Sequence, residues 1–75
     1  MNHGFDQGHE LLVHLDAAYN LARWLMKSEQ DARDVVQDAC VRAFRFDGKV
    51  DNLKPWFLTI VRNVAYTAMN KRLPL

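Results

Sequence analysis

The chain has 75 residues, which permits one domain with a small core that buries roughly 60% of its unfolded surface. At 49% hydrophobic and 25% charged the composition is that of an ordinary globular protein, and it excludes disordered, collagen-like and disulfide-stapled classes, since Cys40 is the only cysteine. The net charge of +1 conceals an asymmetry: Met1 to Leu53 carries six Lys/Arg against nine Asp/Glu, net −3, whereas Lys54 to Leu75 carries four Lys/Arg and no acid, net +4.

The opening, "MNHGFDQGHE", lacks the basic and apolar regions of a signal peptide, and no run approaches the roughly 18 apolar residues of a membrane span. A cytoplasmic, reducing location is expected. In "HELLVHLDAAYNLARWLM" the residues Leu11, Leu15, Ala18, Ala22 and Leu25 recur at three- and four-residue spacing, which predicts an amphipathic helix over about 9–27 that starts near Asp6 and Gly8. "SEQ" breaks the pattern, and Ser28 with Asp31 three residues on forms a capping arrangement for a second helix over about 31–46. Its inner stripe reads Ala32, Val36, Ala39, Cys40 and Ala43, and Gly48 is expected to end it in the left-handed conformation. The loop "FDGKVDNLK" follows. Asp51 or Asn52 then caps a third helix over about 53–72, with Pro55 in its first turn. The fold class is therefore all-α, a compact three-helix domain filling residues 1–75, without repeats or an internal boundary.

The outer faces carry the functional reading. On the second helix Asp34, Asp38, Val41 and Arg45 lie opposite the core stripe with Gln37 beside them, an ordinary solvated face reinforced by an Asp38–Arg42 pair at ion-pair spacing, with Val41 as its exception. On the third, Leu53, Phe57, Ile60, Val61, Val64 and Ala68 converge inward. Thr59, Arg62, Asn63, Tyr66 and Asn70 spread over the far side, with Trp56 at its margin and Lys71 and Arg72 at its end. Aromatic faces stack on unpaired bases, amides read base edges and cations hold phosphates, so this set suits a nucleic-acid strand. The competing structural account folds Trp56 against the first two helices, lets Tyr66 carry its hydroxyl to water, and assigns the terminal cations to the helix dipole.

Catalytic and metal sites are not expected. His9 and His14 are five apart, so their imidazoles diverge where a zinc-protease helix needs four. Cys40 lies on the inner stripe as a small hydrophobe, Ser28 has no evident base, and no glycine-rich phosphate loop occurs. No cofactor is expected.

"HLDAAYNLARWLMKSEQDARDVVQDACVRAFRFDG" followed by "KPWFLTIVRNVAYTAMNKR" resembles region 2 of a bacterial RNA polymerase sigma factor of the extracytoplasmic-function group, over about Glu10 to Arg72. The resemblance implies a non-enzymatic three-helix domain that docks through its second helix on the clamp helices of the polymerase largest subunit. Its loop and third helix would capture the promoter minus-ten element as single-stranded DNA. Asp34, Gln37, Asp38, Val41 and Arg45 then become the polymerase-facing surface. Trp56, Arg62, Asn63 and Tyr66 become the DNA-facing surface, with Lys71 and Arg72 on phosphates beyond it. Such factors carry a second helical domain that reads the minus-thirty-five element, so the chain is expected to be an excised or truncated single domain. The alternative from another class is a protein-interaction module held by an anti-sigma partner without touching DNA. A remoter one is a bundle that self-associates through Val41 and Trp56.

Overall fold

The computed structural model describes residues 10–72, with the side chain of Arg72 outside the description. Three helices account for most of it: α1, Leu15–Leu25; α2, Glu29–Arg45; and α3, Leu53–Arg72. Each packs on the other two, and no strand occurs among the described residues.

The first helical segment differs from the expected unbroken run over 9–27. Residues 10–13 are helical, His14 forms a turn, and α1 starts after it. His14 sits at φ −99°, ψ 6°, and its N–H donates to the Leu11 carbonyl at 3.0 Å, three residues back instead of four. That tightened turn resets the helix, whose first bond is then Ala18 N–H to the His14 carbonyl at 3.0 Å. The expected start at Asp6 and Gly8, and His9, lie outside the described residues.

Met26 leaves α1 in an extended conformation, and the link to α2 is short. Ser28 caps α2 as expected: its Oγ accepts the Asp31 N–H at 3.0 Å, so the helix begins at Glu29, two residues before the expected boundary. The exposed Glu29–Arg33 and Asp38–Arg42 pairs, each at 3.5 Å, add only tenths of a kcal/mol. At the other end Phe46 turns extended, at φ −70°, ψ 125°, with its N–H on the Ala43 carbonyl. Gly48 does not adopt the left-handed conformation, a correction to the expected stop signal; no described glycine has positive φ. α3 opens at the Asn52 backbone carbonyl, which accepts the Trp56 N–H at 3.3 Å, and Pro55 occupies the first turn.

The core consists of Leu11, Ala18, Ala22 and Met26; Ala32, Val35, Ala39 and Ala43; and Leu53, Phe57, Val61, Val64 and Ala65. Nearly half are alanines, so the helix axes approach closely around Phe57 and Val61, the largest fully buried side chains. The inner stripe of α2 holds Ala32, Ala39 and Ala43 as expected, but with Val35 in place of Val36 and Cys40. Val35 is 3% exposed and takes the central place, while Val36 and Cys40 are half-buried on its flank. On α3, Ala65 is buried where Ile60 and Ala68 were expected, and these two flank the core, as do Leu15 and Leu25 on α1. No described charged or polar residue is buried.

Candidate functional site

α3 has an inner face committed to the core, flanked by half-buried residues such as Leu58 and Met69, and the side away from it is displayed to solvent. Thr59, Arg62, Asn63, Tyr66, Asn70 and Lys71 are all exposed on it, a face of about 18 Å at the helical rise. Tyr66 keeps 46% of its surface in water, and the Arg62 guanidinium lies 6.0 Å from its ring centroid, at the outer limit of a cation–π contact. Two hydroxyls are spent locally: Thr59 Oγ1 donates to the Pro55 carbonyl at 2.8 Å, and Thr67 Oγ1 to the Asn63 carbonyl at 3.0 Å. Thr59 therefore offers a ligand only acceptor capacity. No acidic residue occurs on this helix, so its cations lack an intrahelical partner.

Trp56 behaves differently from the rest of that set. It is half-buried against the core, and its ring meets that of Phe46 at 5.2 Å between centroids with 54° between planes. One portion of the indole therefore packs inward, and another remains accessible at the junction of loop and helix. Arg72 belongs to α3, but its side chain lies outside the described residues.

On α2 the residues Asp34, Gln37, Asp38, Val41 and Arg45 are all exposed, as their spacing requires. Asp34 accepts from Gln30 Nε2 at 3.1 Å, and Asp38 pairs with Arg42. Phe44, 60% exposed, joins Val41 on this surface and was missed, although its three-residue spacing from Val41 signals the same face. Cys40 is half-buried beside them, and burial raises the pKa of its thiol, so it stays protonated at neutral pH. The acidic and basic surfaces, read as separate from the sequence, meet at one place. Asp31, Asp34 and Asp38 of α2 stand with Lys71 of α3 around an open groove of about 210 Å³, floored by Val35 and Val64.

Among the described residues no group of His, Cys, Asp and Glu is placed to hold a metal ion, and no helix is long and apolar enough to cross a membrane. The site is thus two adjoining helical surfaces: one acidic with exposed apolar side chains, the other cationic with amides and aromatics. A family model for sigma-70 region 2 matches residues 12–73, which include all three helices. The chain belongs to the sigma-70 region 2 family. A sigma region 2 domain serves transcription initiation as a non-catalytic factor, with RNA polymerase and promoter DNA as its general partners. No curated protein and no solved structure matches the chain.

Proposed function

We propose that this sigma region 2 domain is of the extracytoplasmic-function type, works in the cytoplasm, docks through α2 on the clamp helices of the polymerase largest subunit, and holds the melted minus-ten element on α3. The observation that carries the reading is the exposed Arg62, Asn63 and Tyr66 set on an acid-free helix, within a chain that matches region 2 over most of its length. A duplex hides its base faces, whereas a melted strand presents them. Tyr66 supplies a stacking surface, Asn63 an amide with donors and an acceptor for one base edge, and Lys71 with Arg72 cations for phosphates. Trp56 offers its accessible portion at the start of the same face, and Thr59 and Asn70 add polar contacts along it.

The α2 surface suits a protein instead. Val41 and Phe44 supply apolar area to desolvate, while Asp34, Asp38, Gln37 and Arg45 form a polar rim around it. An anti-sigma factor is a second occupant for the same apolar pair, a reading favoured by the 60% exposure of Phe44. The test titrates purified clamp helices, labelled single-stranded promoter oligonucleotide and the matching duplex against the chain. Binding of the clamp helices and preference for the single strand support the proposal. Clamp binding with no DNA binding, even in the presence of polymerase, favours the protein-interaction reading.

A further inference from the structure

The loop between α2 and α3 is anchored on the core by Val50 and crossed by one aromatic ring. Phe46 is the first residue beyond α2, and its N–H remains tied to the Ala43 carbonyl at 3.2 Å, so its backbone belongs to the end of that helix. Its side chain reaches across the loop to Trp56, in the opening turns of α3, at 5.2 Å between ring centroids. On the way the ring lies over Gly48: a Cβ at that position would stand 2.8 Å from the Phe46 Cε2 and Cζ atoms, closer than carbon atoms pack. Gly48 has no positive φ, so its backbone conformation does not require glycine. The space does. One aromatic ring, itself 48% exposed, thus touches the end of α2, the loop backbone and Trp56, in a segment where Val50 alone is half-buried.

We propose that Phe46 and Gly48 are positioning residues for the single-strand site: Gly48 leaves room for the Phe46 ring, and that ring fixes the loop and the orientation of the Trp56 indole before DNA arrives. The inference rests on the reading of α3 as the single-strand surface and deepens it. An indole held on one side presents its free portion in a single orientation, so its ordering is not charged against binding. Without the ring, strand binding has to order both the indole and the loop.

Gly48→Ala is the incisive variant, because alanine tolerates the backbone there while its methyl displaces the far end of the Phe46 ring. The full chain, bound to core RNA polymerase, is titrated with a fluorescein-labelled mixed-sequence single-stranded oligonucleotide. Gly48→Ala and Phe46→Ala should each weaken binding by roughly three- to tenfold, the weight of ordering one large side chain. Phe46→Tyr, which keeps the ring, should restore it, and affinity for isolated clamp helices should stay unchanged throughout. In a Phe46→Ala background Gly48→Ala should add nothing, since the two act through one contact. In the free chain carrying Trp24→Phe, where Trp56 is the only tryptophan, acrylamide should quench Trp56 more efficiently in both single variants.

Additive losses in the double variant overturn the inference, because Gly48 would then act independently of the ring. So does a harmless Gly48→Ala beside a damaging Phe46→Ala, which would make Phe46 a direct contact. Unchanged binding in both, with binding lost in Tyr66→Ala, overturns the positioning role while the α3 surface stands. A wild-type complex that binds no single strand overturns that surface and the inference together. Should Phe46→Ala fail to fold by circular dichroism, Gly48→Ala and Phe46→Tyr still decide it.

Discussion

Val35 and Val36 are chemically identical neighbours in different environments, and an aspartate at each separates them. Val35 is 3% exposed on the line Ala32, Val35, Ala39, Ala43 that faces α1 and α3. Val35→Asp removes a full valine burial, about 1.5 kcal/mol, and adds an unpaired buried carboxylate costing several kcal/mol more. A domain of this size has a total stability of about 5 kcal/mol, so the variant should be unfolded at neutral pH and room temperature. Val36 is half-buried, with solvent within reach of a carboxylate. Val36→Asp should cost only about 1 kcal/mol, half a valine burial plus a small desolvation penalty, and lower Tm by about 4–8 °C. Far-UV circular dichroism melts of both variants supply the comparison. A cooperative, wild-type-like melt for Val35→Asp, or a chain unfolded by Val36→Asp, would refute the helix phase on which both functional surfaces depend.

The other predictions concern the surfaces. Asp38→Lys combined with Val41→Glu should abolish binding to the clamp helices in pull-down or calorimetry while leaving the melt intact, since both residues are exposed; undiminished affinity in the folded double variant would remove α2 as the docking surface. Lys71→Ala should weaken DNA binding without regard to sequence and lower the slope of log K against log salt by nearly one, the signature of a lost phosphate contact; a slope unchanged from wild type would assign Lys71 to the aspartate groove instead. Because burial holds the Cys40 thiol above its ordinary pKa, iodoacetamide should modify it more slowly at mildly alkaline pH than it modifies the urea-unfolded chain, and the difference should shrink as pH rises. Equal rates in the two states at every pH would contradict that burial.

Much of this architecture is legible in the residues themselves. The Ser28 cap, the Asp38–Arg42 pair, the α3 span and the exposure of both outer faces follow from spacing, because local hydrogen bonds and a period near 3.6 residues decide them. What was misjudged depends on neighbours remote in sequence or on equivocal residues. The adjacent valines of α2 fit two inner stripes that share Ala32, Ala39 and Ala43, and only packing against α1 and α3 selects Val35. Gly48 looks like a helix stop but serves as space beneath a ring. The break at His14 has no glycine or proline to announce it. The contact between Phe46 and Trp56 spans a loop, and the groove that joins Lys71 to three aspartates exists only once α2 and α3 are side by side.

The central claim is that α3 grips unpaired bases, and Tyr66→Ala tests it most directly. With the chain on core polymerase, affinities for a single-stranded promoter oligonucleotide and for its duplex are measured side by side for wild type and variant. Loss of one stacked base should weaken the single strand by about 1–3 kcal/mol and leave duplex affinity and salt slope as they were. Equal weakening of single strand and duplex, or no weakening of either, would contradict the claim and return Tyr66 to the role of a half-exposed ring with its hydroxyl in water.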